Sequence, residues 1–134
     1  MYQKLILTGN VGREPELRYT PSGAAVTSFS MAVNDQYTNQ AGEKVIETTW
    51  FRVTTWGKVA EICNQYVKKG MVVLVEGKLT ADKATGNPRV YQKKDGTSAS
   101  NFEVNASTVR FLSRVEQQDE APAGEIQHEE DIPF

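Results

Sequence analysis

The chain has 134 residues, a length suited to one small domain, and its net charge of −2 hides an asymmetry. Residues 1–114 carry all fifteen Lys and Arg beside ten Asp and Glu, a net +5, while residues 115–134 carry seven acids and no Lys or Arg, a net −7. The single cysteine, Cys63, and the single histidine, His128, exclude an intramolecular disulfide and an ordinary zinc site, and no run approaches the roughly 20 apolar residues of a membrane span.

The opening residues, MYQKLILTGNVG, lack signal-peptide or transit-peptide character, so a cytoplasmic protein is expected. Residues 4–8 form a short apolar run, and Gly9-Asn10-Val11-Gly12 reads as a tight strand connection. Residues 16–19 continue in extended style to a turn at Thr20-Pro21-Ser22-Gly23. Residues 24–37 alternate, with Thr27, Phe29, Met31 and Val33 on one face and Ser28, Ser30 and Ala32 on the other. Asn39-Gln40-Ala41-Gly42 marks a hairpin tip, and residues 45–56 return as a strand rich in Thr, Val and aromatics.

The period then changes. Val59, Ile62, Cys63, Tyr66 and Val67 recur at helical spacing, which predicts an amphipathic helix over residues 58–69 with Lys68 and Lys69 at its end and Gly70 as its stop. Cys63 falls on the buried stripe and reads as an inert core residue. Residues 71–81 are a strong strand, residues 82–100 a polar excursion or second hairpin, and residues 102–112 the last strand. Three strands, a helix and two strands fit a five-stranded Greek-key barrel, the OB-fold, and equally a small α+β domain. Residues 115–134 have almost nothing to bury and are expected to be disordered, up to an apolar tip, Ile132-Pro133-Phe134. The division expected is thus a folded domain, 1–114, and an acidic tail, 115–134.

Strand parity singles out the chemistry. In residues 45–56, Trp50, Arg52, Thr54 and Trp56 share one face and Phe51, Val53 and Thr55 the other. If the Val and Phe side point inward, two indoles stand outside with a cation between them, about 20 Å apart at about 3.3 Å per residue. Such a surface suits a flexible chain of bases and phosphates, although tryptophans in the core or at a subunit interface fit the same parity. Tyr37 and Tyr91 sit among polar residues on the two hairpins. The folded part offers no histidine for base catalysis, no Ser/His/Asp or Cys/His set, and no phosphate-loop or dinucleotide fingerprint, so an enzyme is not expected and no cofactor is implied. A non-enzymatic adaptor for a protein or a specific RNA remains the competing reading.

Residues 4–114 resemble the bacterial single-stranded DNA-binding proteins. The resemblance lies in KLILTGNVGREPELRYTPSGAAV (4–26), TTWFRVTTWGKVAEICNQYVKKG (48–70) and VEGKL (75–79), and EEDIPF (129–134) matches the family's acidic docking tip. It implies an OB-fold with its helix between the third and fourth strands and a homotetramer. It also implies sequence-independent binding of single-stranded DNA in replication, recombination and repair. The stacking residues carried over are Trp50, Trp56, Tyr37 and, counting back from the turn at Gly96, Tyr91. Arg52, Lys58, Lys69, Lys93 and Lys94 are the candidate phosphate contacts. Asp131, Ile132, Pro133 and Phe134 would dock replication and repair proteins. Residues 82–90 are longer than the family pattern, and the linker before the tip is short.

Overall fold

Alternating apolar and polar residues become strands, and the helical stretch a helix, in a computed structural model that describes residues 1–113. The expected tail, with Asp131, Ile132, Pro133 and Phe134, lies outside the described residues. The elements are β1 (Leu5–Val11), β2 (Glu16–Tyr19), β3 (Ala25–Thr38), β4 (Lys44–Trp56), α1 (Gly57–Tyr66), β5 (Val72–Leu79), β6 (Val90–Gln92), β7 (Ser98–Ser100) and β8 (Phe102–Phe111).

Five of these strands close on themselves. The order runs β1-β5-β8-β4-β3, and β3 pairs back onto β1 through Asn10↔Ala32 and Val11↔Met31. The β4–β8 pairing is parallel and the others are antiparallel. This is the closed five-stranded barrel of an OB-fold, with α1 between the third and fourth barrel strands. The short β2 pairs with residues 25–28 of β3, on the edge that β1 takes further along.

Closure explains the glycines of the barrel strands. A Cβ at Gly9 would run into the Ala32 carbonyl oxygen, and one at Gly77 into that of Asn105. Gly77 also lies at the register shift between β5 and β8, where a bulge bends the sheet. Gly9, Asn10 and Val11 therefore run on as strand, and the expected connection begins only at Gly12, because β1 must reach both β5 and β3 to shut the barrel.

Inside, Leu7, Phe29, Met31, Val53, Val75 and Val104 pack as one core. Each fully buried side chain of this kind contributes about 1.5–3 kcal/mol. The buried hydroxyls are satisfied: Thr27 donates to the Ala60 carbonyl at 2.6 Å, and Thr55 donates to the Thr27 carbonyl at 3.0 Å. The first of these ties α1 to the barrel.

The helix departs from expectation at its end and on its face. It stops at Tyr66; Val67 is extended, with φ −72° and ψ 130°, and its N–H donates to the Cys63 carbonyl. Lys68 and Lys69 thus lie in the following turn, and Gly70, at φ +89°, shapes that turn rather than capping the helix. The buried side is Ala60, Cys63 and Val67, while Ile62 and Tyr66 are exposed. Burial pushes the Cys63 thiol up to about 11, against a smaller opposing effect of its hydrogen bond with Thr55, in keeping with an inert core cysteine.

Candidate nucleic-acid interface

The face of β4 opposite the core carries the candidate site. Val53 and Thr55 are fully buried, so Trp50, Arg52 and Trp56 must point outward. Trp50 is 54% and Trp56 48% exposed, high values for the largest apolar side chains. The β3 register puts Ala32 beside Trp50, Ser30 beside Arg52 and Val26 beside Trp56. Small neighbours leave the rings room to lie along the surface. Gly12 leaves the same room from the other side, because a Cβ there would stand 2.6 Å from the Trp50 ring.

Two shallow grooves meet at Arg52. One, of about 450 Å³, runs past Trp56, Tyr19, Arg18 and Arg89, with Glu103 and Asn105 in its wall. The other, of about 410 Å³, runs past Trp50, Tyr91 and Arg13, over a floor that includes Gly12 and Ser30. Glu103 and Asn105 share the face of Arg52 and Thr54 through the parallel pairing of β8 on β4. Within the first groove Arg89 donates from Nε and Nη2 to Glu103 Oε2, at 3.2 and 3.0 Å.

The expected residues fall into two sets. Trp50, Arg52, Trp56 and Tyr91 line the grooves. Tyr37, Lys58, Lys69, Lys93 and Lys94 do not. Tyr37 is 47% exposed but pairs with Val45, which puts it on the opposite face of the β3–β4 ribbon from Trp50. Lys58 stands exposed in the first turn of α1, two residues beyond Trp56. Lys69 lies beside the second groove, its backbone N–H donating to Oε1 of Glu14, a groove residue, at 3.3 Å. Lys93 and Lys94 flank the tip of the β6–β7 hairpin next to Asp95, whose carboxyl is held below its ordinary range by hydrogen bonds from the Thr97 hydroxyl and backbone N–H.

The cations that do line the grooves besides Arg52 are Arg13, Arg18 and Arg89. Sequence reasoning missed them. For Arg18 a signal existed: the short extended run before the Thr20–Gly23 turn pairs Arg18 with Val26, on the Trp56 face. Arg13 and Arg89 come from connecting segments, whose course only the closed barrel settles. No group of three or more His, Cys, Asp or Glu that could hold a metal occurs among the described residues.

Comparison with known proteins agrees with this geometry. The chain is 38% identical over 109 residues to a single-stranded DNA-binding protein of Neisseria meningitidis serogroup A, covering 81% of this chain and 59% of that protein. It is 38% identical over 112 residues to single-stranded DNA-binding protein A of Bacillus subtilis, covering 84% and 60%. It thus spans about three-fifths of the length of these relatives. Among solved structures, the small single-stranded DNA-binding protein of Streptomyces coelicolor superposes with a TM-score of 0.68 at 21% identity, over 83% of this chain and 95% of that one, which supports the fold. The single-strand binding protein family model matches residues 2–112. A match of that extent, joined to the closed barrel, makes this chain a member of the single-strand binding protein family.

Proposed function

We propose that the protein binds single-stranded DNA without regard to base sequence. The observation that carries this reading is the pair of half-exposed indoles, Trp50 and Trp56, on one outer barrel face with Arg52 between them. Every base has a π-face, so stacking on these rings tolerates any sequence, and duplex DNA hides those faces. Stacking contributes about 1–3 kcal/mol per base, a magnitude established on single-strand binders themselves. Tyr91 adds a third ring in the Trp50 groove, and Tyr37 serves a strand that runs on along the β3–β4 ribbon. Arg52 takes phosphates at the junction, with Arg13, Arg18 and Arg89 along the grooves and Lys58, Lys69, Lys93 and Lys94 at their margins. The curated relatives, named as single-stranded DNA-binding proteins, support the same ligand.

On this reading the protein is a binder, not an enzyme. It works in the cytoplasm as a homotetramer in replication, recombination and repair. Residues 1–114 hold the DNA, and residues 115–134 recruit replication and repair proteins through Asp131, Ile132, Pro133 and Phe134. An apolar tip on an acidic leash has the character of a short docking peptide.

Titration of the intrinsic tryptophan fluorescence with oligo-dT and with duplex DNA tests the binding reading. Strong quenching by oligo-dT alone, reversed by salt, is expected; equal quenching by duplex, or none by either, would sink it. Phe134→Ala is expected to abolish capture of those partner proteins while oligo-dT binding stays intact. Loss of both together would overturn the modular division.

A further inference from the structure

Residues 82–100 are held to the barrel in an unusual way. Their hydrogen bonds are local: the Asp82 N–H donates to the Asn87 carbonyl, the Lys93 N–H donates to the Thr97 carbonyl, and Val90–Gln92 pairs with Ser98–Ser100. Among the described residues, one hydrogen-bonded or ionic tie joins this segment to the rest of the molecule, the Arg89–Glu103 pair. Its two ends differ in setting. The Glu103 side chain is only 14% exposed and sits on β8, in register with Arg52, whereas Arg89 is 53% exposed and belongs to the excursion. Arg89 in turn reaches the aromatic surface, with Cζ 6.0 Å from the centroid of the Tyr91 ring, at the outer range of a cation–π contact.

From this chain of contacts we infer that Glu103 is a positioning residue of the binding surface: through Arg89 it holds the Tyr91 ring against the groove of Trp50. The inference rests on the single-strand binding reading. It makes a prediction opposite in sign to simple electrostatics. A carboxylate in the wall of a groove lined by arginines repels phosphate, so a residue acting by charge alone would tighten DNA binding when neutralised. A positioning residue would weaken it, because the ring loses its fixed place and must be ordered when the strand binds.

The first test needs no DNA. In a protein with Tyr91→Trp as its sole tryptophan, Trp50 and Trp56 being replaced by Phe, the indole should tumble with the barrel in time-resolved anisotropy. Glu103→Gln should add a fast nanosecond component, and Glu103→Asp, which keeps a carboxylate facing Arg89 and leaves Arg89 over the ring, should suppress most of it. In the otherwise unaltered protein, Glu103→Gln should weaken oligo-dT binding by roughly threefold to tenfold, a part of one stacked base, and Glu103→Asp should recover most of it. The thermal midpoint should move little, because the Arg89 end of the pair is half-exposed and stays hydrated when its partner is neutralised. Tighter binding by Glu103→Gln, or an anisotropy decay indifferent to it, would overturn the inference. Failure of the unaltered protein to bind oligo-dT would instead remove the function proposed above, and the anisotropy would still decide whether Glu103 fixes the ring.

Discussion

Trp50 and Trp56 stand on a strand whose reverse face carries the partly buried Phe51 and the fully buried Val53 and Thr55; Tyr91 stands on a hairpin of three residue pairs with no such backing. The β4 platform is held by thirteen residue pairs to β3 and by the parallel pairing to β8, so its rings are placed by the same ladders that close the barrel. The β6–β7 hairpin pairs only with itself and is pinned by one partly exposed ion pair. The contrast teaches that one aromatic surface can be placed in two ways: by the strand ladders that close the barrel, and by a single side-chain ion pair on an excursion from it.

The comparison breaks most severely if the platform itself is removed. Trp50→Ala combined with Trp56→Ala is expected to cost about 2–6 kcal/mol of oligo-dT affinity, twice the range for one stacked base, in a titration read by the anisotropy of labelled DNA. A loss much below that would place the main stacking surface elsewhere. The next test contrasts the two foundations. Met31→Ala, fully buried beneath the platform, should lower unfolding stability by about 2–5 kcal/mol in urea. Val90→Ala, 65% exposed on the hairpin, should stay within about 0.5 kcal/mol. Similar costs at both positions would mean the hairpin belongs to the cooperative core.

Gly12→Ala sharpens the comparison further. Gly12 has ordinary backbone angles, so the substitution adds no backbone strain, but its Cβ would meet the Trp50 ring at 2.6 Å. A displaced Trp50 should cost about 1 kcal/mol of affinity, the low end for one stacked base, with the thermal midpoint nearly unchanged. The smallest effect concerns charge. Arg52→Ala should reduce the slope of log K against log salt by roughly 0.7, the value for one phosphate of a single strand. Lys93→Ala should change it less, because Lys93 lies off the grooves and near the ionised Asp95. An equal change at both positions would put the hairpin tip as close to the DNA path as Arg52.

Much of the site was legible because strands have a period of two. Once Val53 and Thr55 pointed inward, Trp50, Arg52 and Trp56 had no choice but to point out, and any strand of that pattern would do the same. Tyr37 shows where a single segment falls short: its polar flanks fit a ring packed on the barrel as well as a free one, and both its exposure and its face, set by pairing with Val45, come from the fold. The end of α1 was misjudged because Lys68 and Lys69 suit a helix terminus by charge, while the chain must turn after Tyr66 to bury Val67 and return along β5.

The sequence by itself determined the local periods, the course of strands and helix, and the shared face of Trp50, Arg52 and Trp56, because each depends on residues close together in the chain. Only the tertiary structure decided that Arg13 and Arg89 join Arg52, and that Glu103 reaches Arg89. Those meetings depend on barrel closure at Gly9 and on the parallel register of β8 with β4. Both are contacts between residues far apart in the chain, and the period of a single strand carries no information about which distant residue lies beside it.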